Sequence, residues 1–449
     1  MVRKRELYMY TSIINSFLES IRALRYYVES VEFANTTQID NLEVEKNDAL
    51  FVAALMSVTK TLKLNNCNID ESDFFKDYPG ELSEEAKNNL YDIIKKLGDL
   101  FEVSQDGQTG EFKGVPQKIK SEYKKISAVQ KQKDILYSGT LMLLVTYFEN
   151  TLAKIFRIDF QRHPGRMSLE NKIVAYSILE MSENIGEVRD HLIDIEVNNL
   201  MYKSASEWIF YLKKNLKLNL DYVTEKLPEL KEIIARRNII VHNDGIVNNI
   251  YMSQVKDEDL KKGDKLTVSR SYIDSAIDLV ETIGTAIIIE IWLKECTKKA
   301  DEFEKIASVI FDEYLLTERW SPAIIFYEIC LSSNKLVQSD VLLCKINRWQ
   351  CYKWLDKYEQ IESEIDQLDS SACKAKYELG ILALQDKYEE FFAVYERQSE
   401  IGEDELEEWP LFKNVRKSEA YRTWQKKKKL LGIEENHIDS TMDETQQDK

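Results

Sequence analysis

Apolar side chains recur at helical spacing along most of this chain, and the pattern predicts long amphipathic helices. One covers residues 1 to about 30, a second Asn41 to Asn65, and a third Ser83 to Phe101. Stronger apolar stripes follow in Ile135 to Phe156 and in Ser271 to Lys294. We therefore expect an all-α fold, in agreement with the low count of 14 Gly and 6 Pro.

A helix over Leu227 to Val241 carries an unusual set of polar side chains near its end. Pro228 suits its first turn, and the turn Asn243-Asp244-Gly245 is typical of a helix stop. The spacing predicts a buried stripe made of Leu230, Ile233, Ile234 and Val241.

Arg237 falls on that apolar stripe, where its permanent charge requires a polar partner. Glu149, at the edge of the Ile135 stripe, is one candidate. Asn238 and His242 are four residues apart and share a helix face. Arg237 and His242 are five apart, or about 140° around a regular helix. If these two act together, either the helix end frays or a second copy of the chain supplies one of them.

Composition narrows the possible functions. The 61 basic and 78 acidic residues give a net charge of −17, which argues against a general polyanion binder but not against a local basic site. The six cysteines are widely spaced, without a zinc-type pair, as in a reduced intracellular protein. We expect a cytoplasmic protein with no secretory signal, membrane span, metal or cofactor. His163 and His191 are interpreted as surface residues.

The last third of the chain contains a repeated motif. The segment Leu355 to Gln360 recurs as Gln385 to Glu390, and Arg319 to Ala323 holds a similar place before them. Apolar helical patterns flank each copy. The spacing predicts about three tetratricopeptide-like helical hairpins between Ala300 and Gln398.

The run Arg237-Asn238-Ile239-Ile240-Val241-His242 resembles the Arg-x4-His motif, in its Arg-Asn form, of the HEPN superfamily of helical ribonucleases. The resemblance extends over roughly Lys133 to Cys296. In that region an apolar helix with Phe148-Glu149, the motif helix, Lys262-Gly263-Asp264 and a long closing helix follow in the order of that family.

This resemblance implies a homodimeric, metal-independent endoribonuclease that cleaves tRNA or mRNA. The 2′-hydroxyl attacks the adjacent phosphate and leaves a 2′,3′-cyclic phosphate. His242 would move protons, Arg237 would hold the phosphate, and Asn238 would orient the histidine or the substrate. Glu149 and Arg236 are the expected supporting residues. A role as a toxin or in defence against phage is implied by the resemblance alone.

The predicted organisation has four parts. They are an N-terminal helical region (1–130), a HEPN-like helical bundle (131–298), a helical-hairpin repeat arm with a cap (299–432) that could bind a protein partner, and a disordered acidic tail (433–449). Two other functions stay open: a non-enzymatic dimeric interaction protein, or the helical partner of a nucleotidyltransferase. In the interaction protein, Arg237 would pair with Glu149 and His242 would only cap the helix.

Overall fold

The computed structural model describes residues 2–40, 101–103, 110–112, 117–167, 174, 176–255, 259–295, 300–368, 374–398 and 400–430. The predicted helix at Asn41 to Asn65, nearly all of the one at Ser83 to Phe101, and the predicted tail at 433–449 lie outside the described residues. The all-α prediction is confirmed. The described strands are only three residues each, with β1 (Phe101–Val103) pairing antiparallel to β2 (Gly110–Phe112).

The helices of the described residues follow one another in this order: α1 (Val2–Asp40), α2 (Gln117–Arg162), α3 (Tyr176–Met181), α4 (Ile185–Met201), α5 (Ala205–Asn215), α6 (Asp221–Glu225), α7 (Leu227–Asn243), α8 (Asn249–Gln254) and α9 (Arg270–Glu295). The C-terminal helices are α10 (Ala300–Ile310), α11 (Trp320–Ser332), α12 (Gln338–Trp354), α13 (Glu362–Asp366), α14 (Ala375–Leu384), α15 (Tyr388–Tyr395) and α16 (Glu403–Glu408). A π-helix occupies Phe311–Leu315, and residues 419–430 are helical. Among the described residues, none of the helices combines the length and apolar character needed to cross a membrane.

Helix α2 is a single helix of 46 residues. It contains the whole of the apolar Ile135 to Phe156 segment. The predicted domain boundary between residues 130 and 131 lies inside it. The apolar positions predicted for its second half are all buried: Leu141, Leu144, Phe148, Leu152 and Ile155.

The chain divides into two compact units. The first contains residues 1–19, 147–231 and 278–449, and the second contains residues 20–146 and 232–277. The domain limits drawn from the sequence stay a prediction.

In the first unit, α9 approaches α1 closely at a glycine. A Cβ added at Gly284 would lie 2.5 Å from the ring of Phe17, so a side chain there would displace the ring. The wide apolar face predicted for α9 is buried throughout: Ile273, Ala276, Ile277, Val280, Ile283, Ile287, Ile288 and Ile291.

Glu290, which interrupts the apolar run of α9, has a specific partner in the first unit. Its carboxylate accepts hydrogen bonds from the backbone N–H groups of Asn219 (2.8 Å) and Leu220 (2.9 Å). Leu220 has a left-handed backbone with φ of 50°. Burial raises the pKa of Glu290, against the opposite effect of these two hydrogen bonds. The Glu290 side chain therefore satisfies two backbone donors of the irregular segment between α5 and α6.

The repeated motif of the C-terminal third forms the same helix stop three times. Glu318, Asp356 and Asp386 all have left-handed backbones, with φ of 57°, 56° and 57°. The residue after each one donates its N–H to a carbonyl five residues back, at 2.8, 2.9 and 3.0 Å respectively. This is the hydrogen bond of a Schellman stop. Each copy of the motif thus ends one helix and leads into the next.

Around these stops, α11 packs against α12 and α14 against α15. Trp349, Leu384, Phe391 and Phe412 are fully buried in the apolar core of this part. The cysteines of α11 and α12 (Cys330, Cys344 and Cys351) are free and buried.

Candidate functional site

Helix α7, in which the Arg-Asn-xxx-His motif lies, begins at Leu227 as predicted and extends two residues past the predicted end, to Asn243. Leu230 and Ile233 are buried, but Val241 is 47% exposed, so its place in the predicted stripe was wrong. Ala235 and Ile239 are buried instead. They belong to a small core of the second unit with Val247 and Tyr251.

The motif residues differ in their access to solvent. Arg237 and Asn238 are half-buried, whereas His242 is exposed. All three lie within continuous helix, so Asn238 and His242 share a face, and Arg237 and His242 stay about 140° apart. Within one chain, therefore, helix α7 directs the guanidinium and the imidazole to different sides.

Arg236 is held in a network that fixes the helix to its surroundings in the second unit. Its Nε donates to Oε1 of Glu232, 2.6 Å away, and its Nη1 donates to the carbonyl of Thr267 at 3.1 Å. The guanidinium also lies over the ring of Tyr272, 4.2 Å from the centroid. Arg236 therefore holds α7 against other segments of the second unit.

The carboxylate of Glu232 is the centre of that network. The hydroxyl of Tyr251 donates to its Oε1 at 2.8 Å, and the hydroxyl of Tyr272 donates to its Oε2 at 2.7 Å. Burial raises the pKa of both tyrosines most, and the hydrogen bond to Glu232 and its negative charge raise the pKa further. Burial lowers the pKa of the Arg236 guanidinium, but the interactions with Glu232, Tyr272 and Tyr251 together outweigh burial and raise that pKa. The network is thus an ion pair with two neutral phenol donors.

Sequence reasoning missed Glu232, Tyr251 and Tyr272. Glu232 could have been found, because it lies four residues before Arg236, the spacing of a helical ion pair. Tyr251 lies in α8, where Asn248 caps the helix by accepting from the N–H of Tyr251. The capping asparagine favours that short helix over a strand.

A tight turn stops α7 directly after His242. Asp244 and Gly245 have φ of 51° and 74°, and the N–H of Gly245 donates to the carbonyl of Ile239 at 3.0 Å. The Nδ2 of Asn243 donates to the carbonyl of Ile246 at 2.6 Å. The predicted stop at Asn243-Asp244-Gly245 is therefore the observed one.

The segment Lys261 to Leu266 holds this turn in place. The N–H of Leu266 donates to the carbonyl of Gly245 at 2.8 Å, and the N–H of Val247 donates to the carbonyl of Asp264 at 2.8 Å. A Cβ on Gly245 would lie 2.6 Å from the carbonyl oxygen of Leu266. Glycine is thus required here by both the backbone angle and the available space. The contacts fix the end of α7 next to His242.

Glu149 lies on α2, is half-buried and belongs to the first unit. The motif residues belong to the second unit. The predicted pairing of Glu149 with Arg237 therefore stays a prediction.

Within the described part of the chain, no group of three or more His, Cys, Asp and Glu residues is placed to hold a metal ion. The chain matches no protein-family model, no curated protein and no solved structure. The resemblance to HEPN ribonucleases thus depends on the motif and its helical context.

Proposed function

We propose that this chain is a metal-independent endoribonuclease of the HEPN type that acts as a homodimer. The observation that carries the proposal is the placement of Arg237, Asn238 and His242 on one helix whose end, with an exposed imidazole, is fixed by a turn. An exposed histidine can exchange protons with a bound substrate near neutral pH.

The chemistry needs both a base and an acid. A base removes the proton of the ribose 2′-hydroxyl, whose oxygen then attacks phosphorus and forms the 2′,3′-cyclic phosphate. The bond from phosphorus to the 5′-oxygen breaks, and an acid gives that oxygen a proton. Two copies of His242 could serve as base and acid. Arg237 stabilises the charge that develops on the phosphate.

Pairing of two chains is supported by apolar side chains close to His242 in the sequence. Val241, Ile246 and Ile250 are 47%, 39% and 68% exposed. Large exposed apolar side chains close together are typical of surfaces that bind another protein. A second copy of α7 would also remove the angular mismatch between Arg237 and His242, because each could come from a different protomer.

Cleavage of tRNA and of a defined mRNA by the purified full chain, in the presence of EDTA, tests this proposal. We expect products with 2′,3′-cyclic phosphate ends, identified by mass spectrometry. His242→Ala should lose about 10²- to 10⁴-fold in rate, the usual contribution of a general acid or base. His191→Ala, which removes an exposed histidine of α4, is the matched control and should keep full activity.

A mixed dimer tests whether the two motif residues act across an interface. Arg237→Ala and His242→Ala chains, each inactive, should regain part of the activity when they are co-refolded, because the shared site then has one native copy of each residue, supplied by different chains. RNA that stays intact with the wild-type chain, or full activity of His242→Ala, would contradict the proposed function.

A further inference from the structure

A second group of charged side chains, separate from the motif, surrounds a pocket in the first unit. Asp159, Arg162 and His163 come from the end of α2, and Arg166 follows in the short 3-10 helix after it. Lys294, from the end of α9, also lines the pocket. The pocket has a cavity volume of about 100 Å³ and is partly open to solvent.

The carboxylates of this pocket already have partners. Asp159 is only 4% exposed and accepts from the hydroxyl of Tyr211 at 2.7 Å. It also pairs with Arg166, and the Nδ1 of His163 is 3.0 Å from it. The carboxylate of Glu295 is 3.3 Å from Nη1 of Arg162. Both negative charges are thus compensated inside the pocket.

Lys294 is a third cationic residue of the pocket, in addition to the two arginines that pair with its carboxylates. Its Nζ donates to the carbonyl of Leu216, and no described carboxylate lies within ion-pair distance of it. Desolvation lowers the pKa of Lys294, and Arg166 and Lys217 also lower it, against the effects of Glu295 and Asp159. Arg162, Arg166 and Lys294 outnumber the two carboxylates of the pocket, and an anion would compensate the excess positive charge.

The other surfaces of the pocket are apolar or aromatic. The hydroxyl of Tyr10 accepts from Nη1 of Arg162 at 3.0 Å, and its ring lies under that guanidinium. The remaining lining is aliphatic and buried: Ile155, Ile158, Leu216, Leu218 and Ile291. A purely inorganic anion would leave this aliphatic surface without contacts.

We propose that this pocket binds a small organic phosphomonoester, with its phosphate at Arg162, Arg166 and Lys294 and its organic part against Ile158 and Leu218. A phosphomonoester carries a charge of about −1.5 to −2 and three acceptor oxygens. Arginine and lysine donors that converge from different elements match such a group better than they match the two oxygens of a carboxylate.

Phenyl phosphate is a direct probe, because it joins an apolar ring to a phosphomonoester. We expect phenyl phosphate to raise the unfolding temperature of the full chain in a saturable way. Its ³¹P resonance should broaden when it is bound. Inorganic phosphate and benzoate should bind more weakly. Lys294→Met keeps most of the side-chain stem and should weaken phenyl phosphate binding about tenfold or more. Lys294→Arg should retain it.

Lys203→Met is the matched control, since Lys203 is an exposed lysine of the same unit outside the pocket lining. It should leave binding unchanged. The proposal is overturned by an absence of binding up to about 10 mM, by benzoate binding as tightly as phenyl phosphate, or by unchanged binding to Lys294→Met. Binding is measured without RNA, so this result is independent of whether the chain is a ribonuclease.

Discussion

Gly245→Ala tests how strongly the turn after His242 depends on glycine. Gly245 has φ of 74°, and the added Cβ would lie 2.6 Å from the carbonyl oxygen of Leu266. That oxygen cannot move away cheaply, because the N–H of Leu266 donates to the carbonyl of Gly245 itself. The substitution therefore strains the backbone and pushes apart two segments that hydrogen bonds hold together.

The cost can be worked out from these contacts. A left-handed backbone costs a residue with a Cβ roughly 1–2 kcal/mol. Weakening one backbone hydrogen bond adds about 1 kcal/mol. Relief of the clash by displacement adds about 1 kcal/mol or more. The lower entropy of the unfolded Ala chain returns about 0.4–1 kcal/mol. Gly245→Ala should thus destabilise the second unit by about 2–4 kcal/mol.

Gly263→Ala is the matched control for this effect. Gly263 also has a positive φ, of 98°, but an added Cβ would meet no atom within 4 Å. It should cost only about 1 kcal/mol, the conformational part. Urea unfolding of both variants gives the difference. Hydrogen exchange measured for residues 239–247 shows whether the end of α7 is the part that opens. Equal losses for the two variants would refute the reasoning from the close contact.

Two further predictions concern the first unit. Asp356→Gly should stabilise the chain by up to about 1 kcal/mol, because glycine adopts the left-handed backbone at this position without strain. Asp386→Gly should be less favourable, because Asp386 also accepts a hydrogen bond from Nζ of Lys353 at 2.6 Å. Equal urea midpoints for the two variants would contradict this. Burial raises the pKa of Tyr10 to about 12, although the positive charge of Arg162 acts to lower it. Its neutral phenol therefore contributes stability that is complete below pH 10 and lost as the pH rises through about 12. Tyr10→Phe should reduce the loss of stability over that range, and an unchanged alkaline melting profile would count against it.

Much of the helical structure is predictable from the sequence because burial repeats at helical spacing. The start of α7 at Leu227, its stop at Asn243 and the apolar face of α9 follow from local signals. The exposure of Val241 does not. Near a helix end the direction of the apolar face depends on which segments pack there. For α7 these segments are α8 and the Lys261 to Leu266 loop.

The candidate site was predictable as a set of residue types but not as a geometry. The Arg-Asn-xxx-His spacing places Asn238 and His242 on one face by helical periodicity alone. The position of the Arg236 side chain could not be predicted, because it depends on Tyr272, a residue distant in sequence whose ring lies under the guanidinium. The pocket at Lys294 was not predictable either, since its side chains come from helix ends far apart in the chain.

The contact of Glu290 with the segment before α6 affects the order in which the chain can fold. The two N–H groups that donate to its carboxylate belong to Asn219 and Leu220, which lie 71 and 70 positions earlier in the chain. During synthesis these N–H groups have only water as a partner until the chain has grown past Glu290 and α9 has formed. Contacts between residues so far apart form late, because loop closure must come first. We therefore expect the amides of Asn219 and Leu220 to gain protection together with α9 rather than with their neighbours in α5.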